Sequence, residues 1–145
     1  MKSNDQSPAL LQVWTLSLEL AKRIMEAAER KAVTNEWKVT IAVMDAAGEL
    51  KTFQRMDGTT NATVAVAIGK AKHAINYGRD TRFHYELLAK GNYAVGALPG
   101  SLALTGGVQL IWKDQLVGSI GVSGAAADDD EKVAQAGAEV LKAVL

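Results

Sequence analysis

The feature that most constrains this chain is a change of apolar period that occurs twice. From Trp37 to Asp45 the side chains alternate, with Trp37, Val39, Ile41 and Val43 on one side and Lys38, Thr40, Ala42 and Met44 on the other. A repeat of two is that of a strand. Asp45-Ala46-Ala47-Gly48 supplies turn residues, and Glu49 to Met56 resumes as a second strand, so the pair predicts an antiparallel hairpin. Val108–Trp112 and Leu116–Val122, separated by Lys113-Asp114-Gln115, predict a second hairpin.

Helical spacing surrounds the hairpins. Ser17 can cap a first helix, with Glu19 near the positive end of its dipole; Leu20, Ile24, Ala27, Ala28 and Lys31 share one face, and the pattern fades at Thr34-Asn35. After Asp57-Gly58-Thr59-Thr60, capped by Thr60 or Asn61, Val64, Ile68, Ala71 and Ile75 mark a second helix that stops at Gly78. A shorter helix over Thr81–Lys90 is expected to bury Phe83 and Leu87. Asn92 to Thr105 reads as an ordered loop, with a short strand through Leu102 and Leu104 as an option. Loops of this length in a compact domain are often functional. Asp128 to Glu131 opens a last helix with capping-box spacing, followed by Val133, Val140, Leu141 and Val144. The order α, β, β, α, α, loop, β, β, α suits an α+β domain with a central antiparallel sheet covered by helices.

Composition narrows the chemistry. The 145 residues are the size of one domain. Lysine plus arginine and aspartate plus glutamate each number 16, so there is no net field or basic stripe and no nucleic-acid partner is expected. The absence of cysteine removes disulfides, thiolate metal sites and cysteine nucleophiles together. No apolar run approaches the roughly 18 residues of a membrane span. No membrane partner is expected, and the short, polar-interrupted amino terminus reads as that of a cytoplasmic protein.

Three segments in order, Ile41 to Gly48 running on to Gln54-Arg55-Met56-Asp57-Gly58, Ala67-Ile68-Gly69-Lys70-Ala71, and Gly106-Gly107-Val108 followed by Val117 to Gly124, resemble the GlcG/HbpS or haem-degrading domain family. The likeness runs from about Leu16 to Leu145, leaving residues 1–15 as a tail and 16–145 as a single domain. The family is similar also to the carboxyl-terminal domain of PduO-type corrinoid adenosyltransferases. The resemblance implies a profilin-like fold, a five-stranded antiparallel sheet in an α/β/α layering, and a homo-oligomer between dimer and octamer. Two departures stand out: Ala47 replaces a second turn glycine, and His73 lies where threonine is common. The apolar strands of the second hairpin, with Trp112, also argue for association, because exposed strand edges or faces need covering.

The resemblance implies no single activity, and the cofactor is left unknown, haem and corrinoid being the options. Lys70, His73 and Tyr77 stand along one edge of the second helix, and Lys70 carries the family motif. A snorkelling lysine is the plain alternative. Arg55 can hold a carboxylate in a fork or fix its own turn with Asp57. Gly106, Gly107 and Gly121 permit close approach of either a ligand or neighbouring backbone. His73 and His84, the two histidines of the chain, are each a possible axial haem ligand. Glu26-x-x-Glu29 resembles a spacing discussed for iron in the family, but two surface acids are usually only solvated. Three readings follow. The first is a small-ligand-binding protein for haem or another tetrapyrrole, accessory to a catabolic or cofactor pathway, with its pocket between the second helix and the glycine-bearing hairpin. The second is an enzyme acting on a small carboxylate or diol-derived metabolite, with Lys70 as cation or base and Arg55 as anion clamp. The third is a structural or accessory subunit without pocket chemistry.

Overall fold

The computed structural model describes residues 9–145. Its elements run α1 (Leu18–Thr34), β1 (Thr40–Asp45), β2 (Leu50–Arg55), α2 (Ala62–Tyr77), α3 (Thr81–Ala89), a 3-10 turn (Tyr93–Ala97), β3 (Gly107–Trp112), β4 (Gln115–Ser123), α4 (Ala127–Ala138) and a closing 3-10 turn (Glu139–Ala143). The predicted order holds. Among the described residues no helix is long and apolar enough to cross a membrane. Met1–Pro8 of the expected tail lie outside the described residues. The rest of that tail is tied down: Trp14 packs edge-on against Trp112 with ring centroids 5.8 Å apart, and Ala46 N–H donates to Thr15 Oγ1 at 2.9 Å.

Among the described residues the sheet has four strands, in the order β2-β1-β4-β3 and antiparallel throughout, not the five that the resemblance implied. Leu102 and Leu104 form no strand, because their segment is held by other bonds: Leu102 N–H donates to His73 Nδ1 at 2.9 Å and Leu104 N–H turns back onto Leu102 O. An amide spent on a side chain is not available to a ladder. The β3–β4 turn places Lys113 and Asp114 at φ of 48° and 65°, the two positive values of a tight I′ hairpin. At the other hairpin Asp45 Oδ1 accepts from the amides of Ala47 and Glu49, and of the turn residues Ala47 and Gly48 only the glycine takes a positive φ. Alanine at 47 therefore carries no backbone strain.

Helices cover both faces. Ile41, Val43, Leu110, Ile120 and Val122 join Ile24, Ala28, Val133 and Leu141 in the larger core beneath α1 and α4, while Ala42 and Met44 meet Ala67 and Ala71 of α2. Burial on both faces is why β1 is apolar on both sides of its alternation. Ser17 Oγ accepts from Leu20 N–H at 3.1 Å, as its position predicts. The buried face of α1 is Ala21, Ile24, Met25, Ala28 and Ala32, so the expected stripe is rotated and Lys31 is exposed. Phe83, expected to be buried, is also exposed. No capping box forms on α4; Ala126 is its N-cap, and Asp128, Asp129 and Asp130 occupy its first turn.

The second hairpin is not the bare surface expected of it. β4 is a central strand, and Trp112 is half-buried, donating from Nε1 to Val144 O at 3.2 Å. Two outward amides of β3 are also taken. Gly107 N–H donates to Thr81 Oγ1 at 2.9 Å and Gln109 N–H to Asp80 Oδ1 at 2.8 Å, both at the start of α3. β2 forms the opposite edge, and among the described residues no further strand pairs with it.

Candidate functional site

α2 carries the side chains that the sequence singles out, and they divide into two groups. Lys70 runs to the end of the sheet, where Nζ donates to Val122 O at 2.8 Å and to Asp130 Oδ2 at 3.0 Å; the residue is 2% exposed. The second oxygen of Asp130 accepts from Ala125 N–H at 2.8 Å. A Cβ at Gly106 would lie 2.7 Å from Nζ, so backbone closes over the ammonium. Burial pushes the Lys70 ammonium down and the Asp130 carboxyl up from their ordinary ranges, and the opposite charge of each partner resists the shift.

Gly107 and Gly121 settle between packing and a ligand gap at this seam. A Cβ at Gly107 would come within 2.4 Å of Lys70 O, and one at Gly121 within 2.1 Å of Ala67 O. The main chains of sheet and helix touch there. At these two glycines the seam has no room for a side chain.

His73 and Tyr77 form the other group, one that Lys70 does not join. His73 is fully buried. Its Nδ1 accepts from Leu102 N–H, which places the proton of the neutral ring on Nε2, and Nε2 lies 2.9 Å from Nδ1 of His84 on α3. That bond therefore runs from His73 to His84. The Tyr77 hydroxyl donates to Pro99 O, and the rings of His73 and Tyr77 stand 5.0 Å apart. Phe83 meets His84 edge-on at 5.1 Å, with the Arg79 guanidinium 4.1 Å above the Phe83 ring. The cluster combines a half-buried imidazole, exposed aromatic surface and a cation.

Arg55 joins neither group. Its Nε donates to Thr59 Oγ1 at 2.8 Å, and Nη2 donates to Thr59 O and Asn61 Oδ1, so it fixes the β2–α2 turn through Thr59 and Asn61. Glu26 and Glu29 lie along a shallow groove of about 370 Å³ on α1. Among the described residues no three His, Cys, Asp or Glu side chains gather as a metal site would require. Local sequence pattern did not single out Arg82, which donates to Glu131 at 2.9 Å and Asp128 at 2.8 Å and ties α3 to α4. Its partners lie 46 and 49 residues away, beyond any helical spacing.

Proton uptake at the imidazole pair has a defined sign. Burial, and secondarily the proximity of His84, hold His73 below its ordinary value of 6.5. Above that value the ring is neutral in both folded and unfolded chains and its contribution to stability is complete; below it the unfolded chain takes up the proton first, so stability falls as the pH drops toward the folded value. Urea midpoints measured at about pH 7.5 and about pH 5.5 are expected to fall in the wild type by more than in His73→Leu, which has no ring to protonate. Equal losses in the two proteins would remove His73 from the acid response.

Helices on both faces of a four-stranded antiparallel sheet, a glycine-lined contact between α2 and the central strands, and a pair formed by the buried His73 and the half-buried His84 define a small α/β/α domain. Comparison with known proteins places it further. The family model for the haem-degrading protein HbpS-like matches residues 16–139, and the chain belongs to that family. The protein GlcG of Escherichia coli K12 is 35% identical over 108 residues, covering 74% of this chain and 81% of GlcG. A crystal structure of a Streptomyces reticuli HbpS double mutant superposes with a TM-score of 0.85 at 32% identity, covering 97% of each chain. The crystal structure of a PduOC:heme complex superposes with a TM-score of 0.79 at 22% identity, covering 87% of this chain and 94% of that one, a likeness of fold.

Proposed function

We propose that the protein binds haem or a related tetrapyrrole at the outer side of α2 and α3 and acts as an accessory protein. The observation that carries this reading is His84: a half-buried imidazole set beside Phe83 and Tyr77, with Arg79 one ring away. Family membership and the heme bound by the PduOC relative support it. The donor set fits the group, since imidazole ligates haem iron, aromatic faces suit a flat apolar macrocycle and a guanidinium suits a propionate. Bound haem supplies the redox and ligand-exchange chemistry of its iron. His84 would hold it, Arg79 would pair with its carboxylate, and Phe83 would exclude water. Ligation through His84 Nε2 requires that ring's tautomer protonated on Nδ1, so binding would release the hydrogen bond that His73 Nε2–H donates to Nδ1 in this structure, and His73, with both nitrogens engaged here, is not itself the donor.

Hemin titration tests the reading. A saturable Soret shift is expected, weakened at least about tenfold in His84→Ala, which lacks the imidazole that would hold the iron. Absence of a saturable shift, or equal affinity in the variant, would overturn it. The alternative of an enzyme using Lys70 and Arg55 loses its two proposed groups, one sealed beside Asp130 and the other spent on a turn.

A further inference from the structure

A groove of about 430 Å³ opens between the start of β1, the β2–α2 turn and the end of β4. Its size is that of a small-metabolite site. Four polar side chains in its lining have no hydrogen-bond or ion-pair partner among the described residues: Lys38, Glu36, Thr60 and Ser123. Ser123 is the most enclosed of the four, 8% exposed as a residue, and its unpartnered hydroxyl opens to the groove rather than being sealed in the core. The Lys38 ammonium is placed by its stem, which lies on Gly58: a Cβ there would sit 2.9 Å from Lys38 Cδ and 3.5 Å from Nζ. Thr59 and Thr63, which also line the groove, are spent on Met56 O, Arg55, Thr60 O and Thr40.

We infer that this groove binds a small carboxylate bearing a hydrogen-bond donor on the neighbouring carbon. Lys38 takes the carboxylate, with Ser123 and Thr60 donating hydroxyl hydrogens to it, and Glu36 accepts from the ligand's own donor. One cation and one acid in the same lining match a ligand with an acceptor end and a donor end. A bare dianion would meet the Glu36 charge at close range. The site shares no residue with the imidazole cluster and stands whether or not haem binds.

Amide NMR of the whole chain, titrated separately with lactate, alanine and inorganic phosphate, tests the assignment. Saturable shifts at the Gly58 and Gly124 amides are expected with a carboxylate and not with phosphate. The dissociation constant should rise at least about tenfold in Lys38→Gln, the equivalent of about 1.4 kcal/mol, while Lys38→Arg retains binding and the remaining amides of both variants stay in place. A response to lactate alone marks a hydroxyl as the ligand's donor, a response to alanine alone marks an ammonium paired with Glu36, and either supports the site. No saturable shift with either carboxylate, an equal response to phosphate, or unchanged affinity in Lys38→Gln would overturn it.

Discussion

Lys70→Met is expected to lower the unfolding free energy by about 3 to 5 kcal/mol, the range for removing one member of a buried ion pair. The side chains of both partners are 3% exposed. Without the ammonium, Asp130 keeps the Ala125 amide but loses its counter-charge in a site where burial already favours the neutral acid. Val122 O loses a donor in the same step. The double variant Lys70→Met/Asp130→Leu is expected to recover most of the loss, since a pair replaced by apolar groups of similar volume leaves no orphaned charge. Urea unfolding of the two variants decides the matter. A single variant within about 1 kcal/mol of the wild type, inside the range of exposed pairs, would mean that Lys70 is not held as described.

Gly121→Ala is the second large effect. The added carbon would meet Ala67 O at 2.1 Å and Ala71 N at 2.5 Å, and these are main-chain atoms of α2 that have no rotamer to change. The helix must lift from the central strand, which also strains the bond from Ser119 Oγ to Ala71 O, now 2.7 Å. A loss of about 3 kcal/mol, the top of the usual overpacking range, is expected. In a domain of this length that lowers the melting temperature by about 6 to 12 °C. Gly96→Ala serves as the control, because its Cβ would meet nothing within 4 Å and its melting temperature should hold. Equal melting of the two variants would refute the close approach of α2 to β4.

The hairpins, the Ser17 cap and the stop of α2 at Gly78 were legible because each is written in neighbouring residues. The buried face of α2 was not. It carries Thr63, Lys70 and His73, polar groups that periodicity assigns to solvent and that are buried only because Thr40, Asp130 and Leu102 meet them from 23, 60 and 29 residues away. Asp130 shows the same limit from the other side: its local context suggests a helix cap, and its actual partner lies on another helix. Family resemblance marked Lys70 as important without saying why. The structure buries the motif lysine in an ion pair with Asp130 and directs attention to His84 and Ser123, whose surroundings no local spacing encodes.

The two ends of the sheet differ in what they allow. The start of α3 occupies the outward amides of β3 at Gly107 and Gln109, whereas among the described residues β2 is bordered by no strand beyond β1. Growth by strand addition is therefore one-sided. Two copies meeting edge to edge through β2 would consume both free borders and finish as a closed pair, with nothing left to template a third. Such a molecule can use backbone pairing to associate while lacking the second valence that an open filament requires.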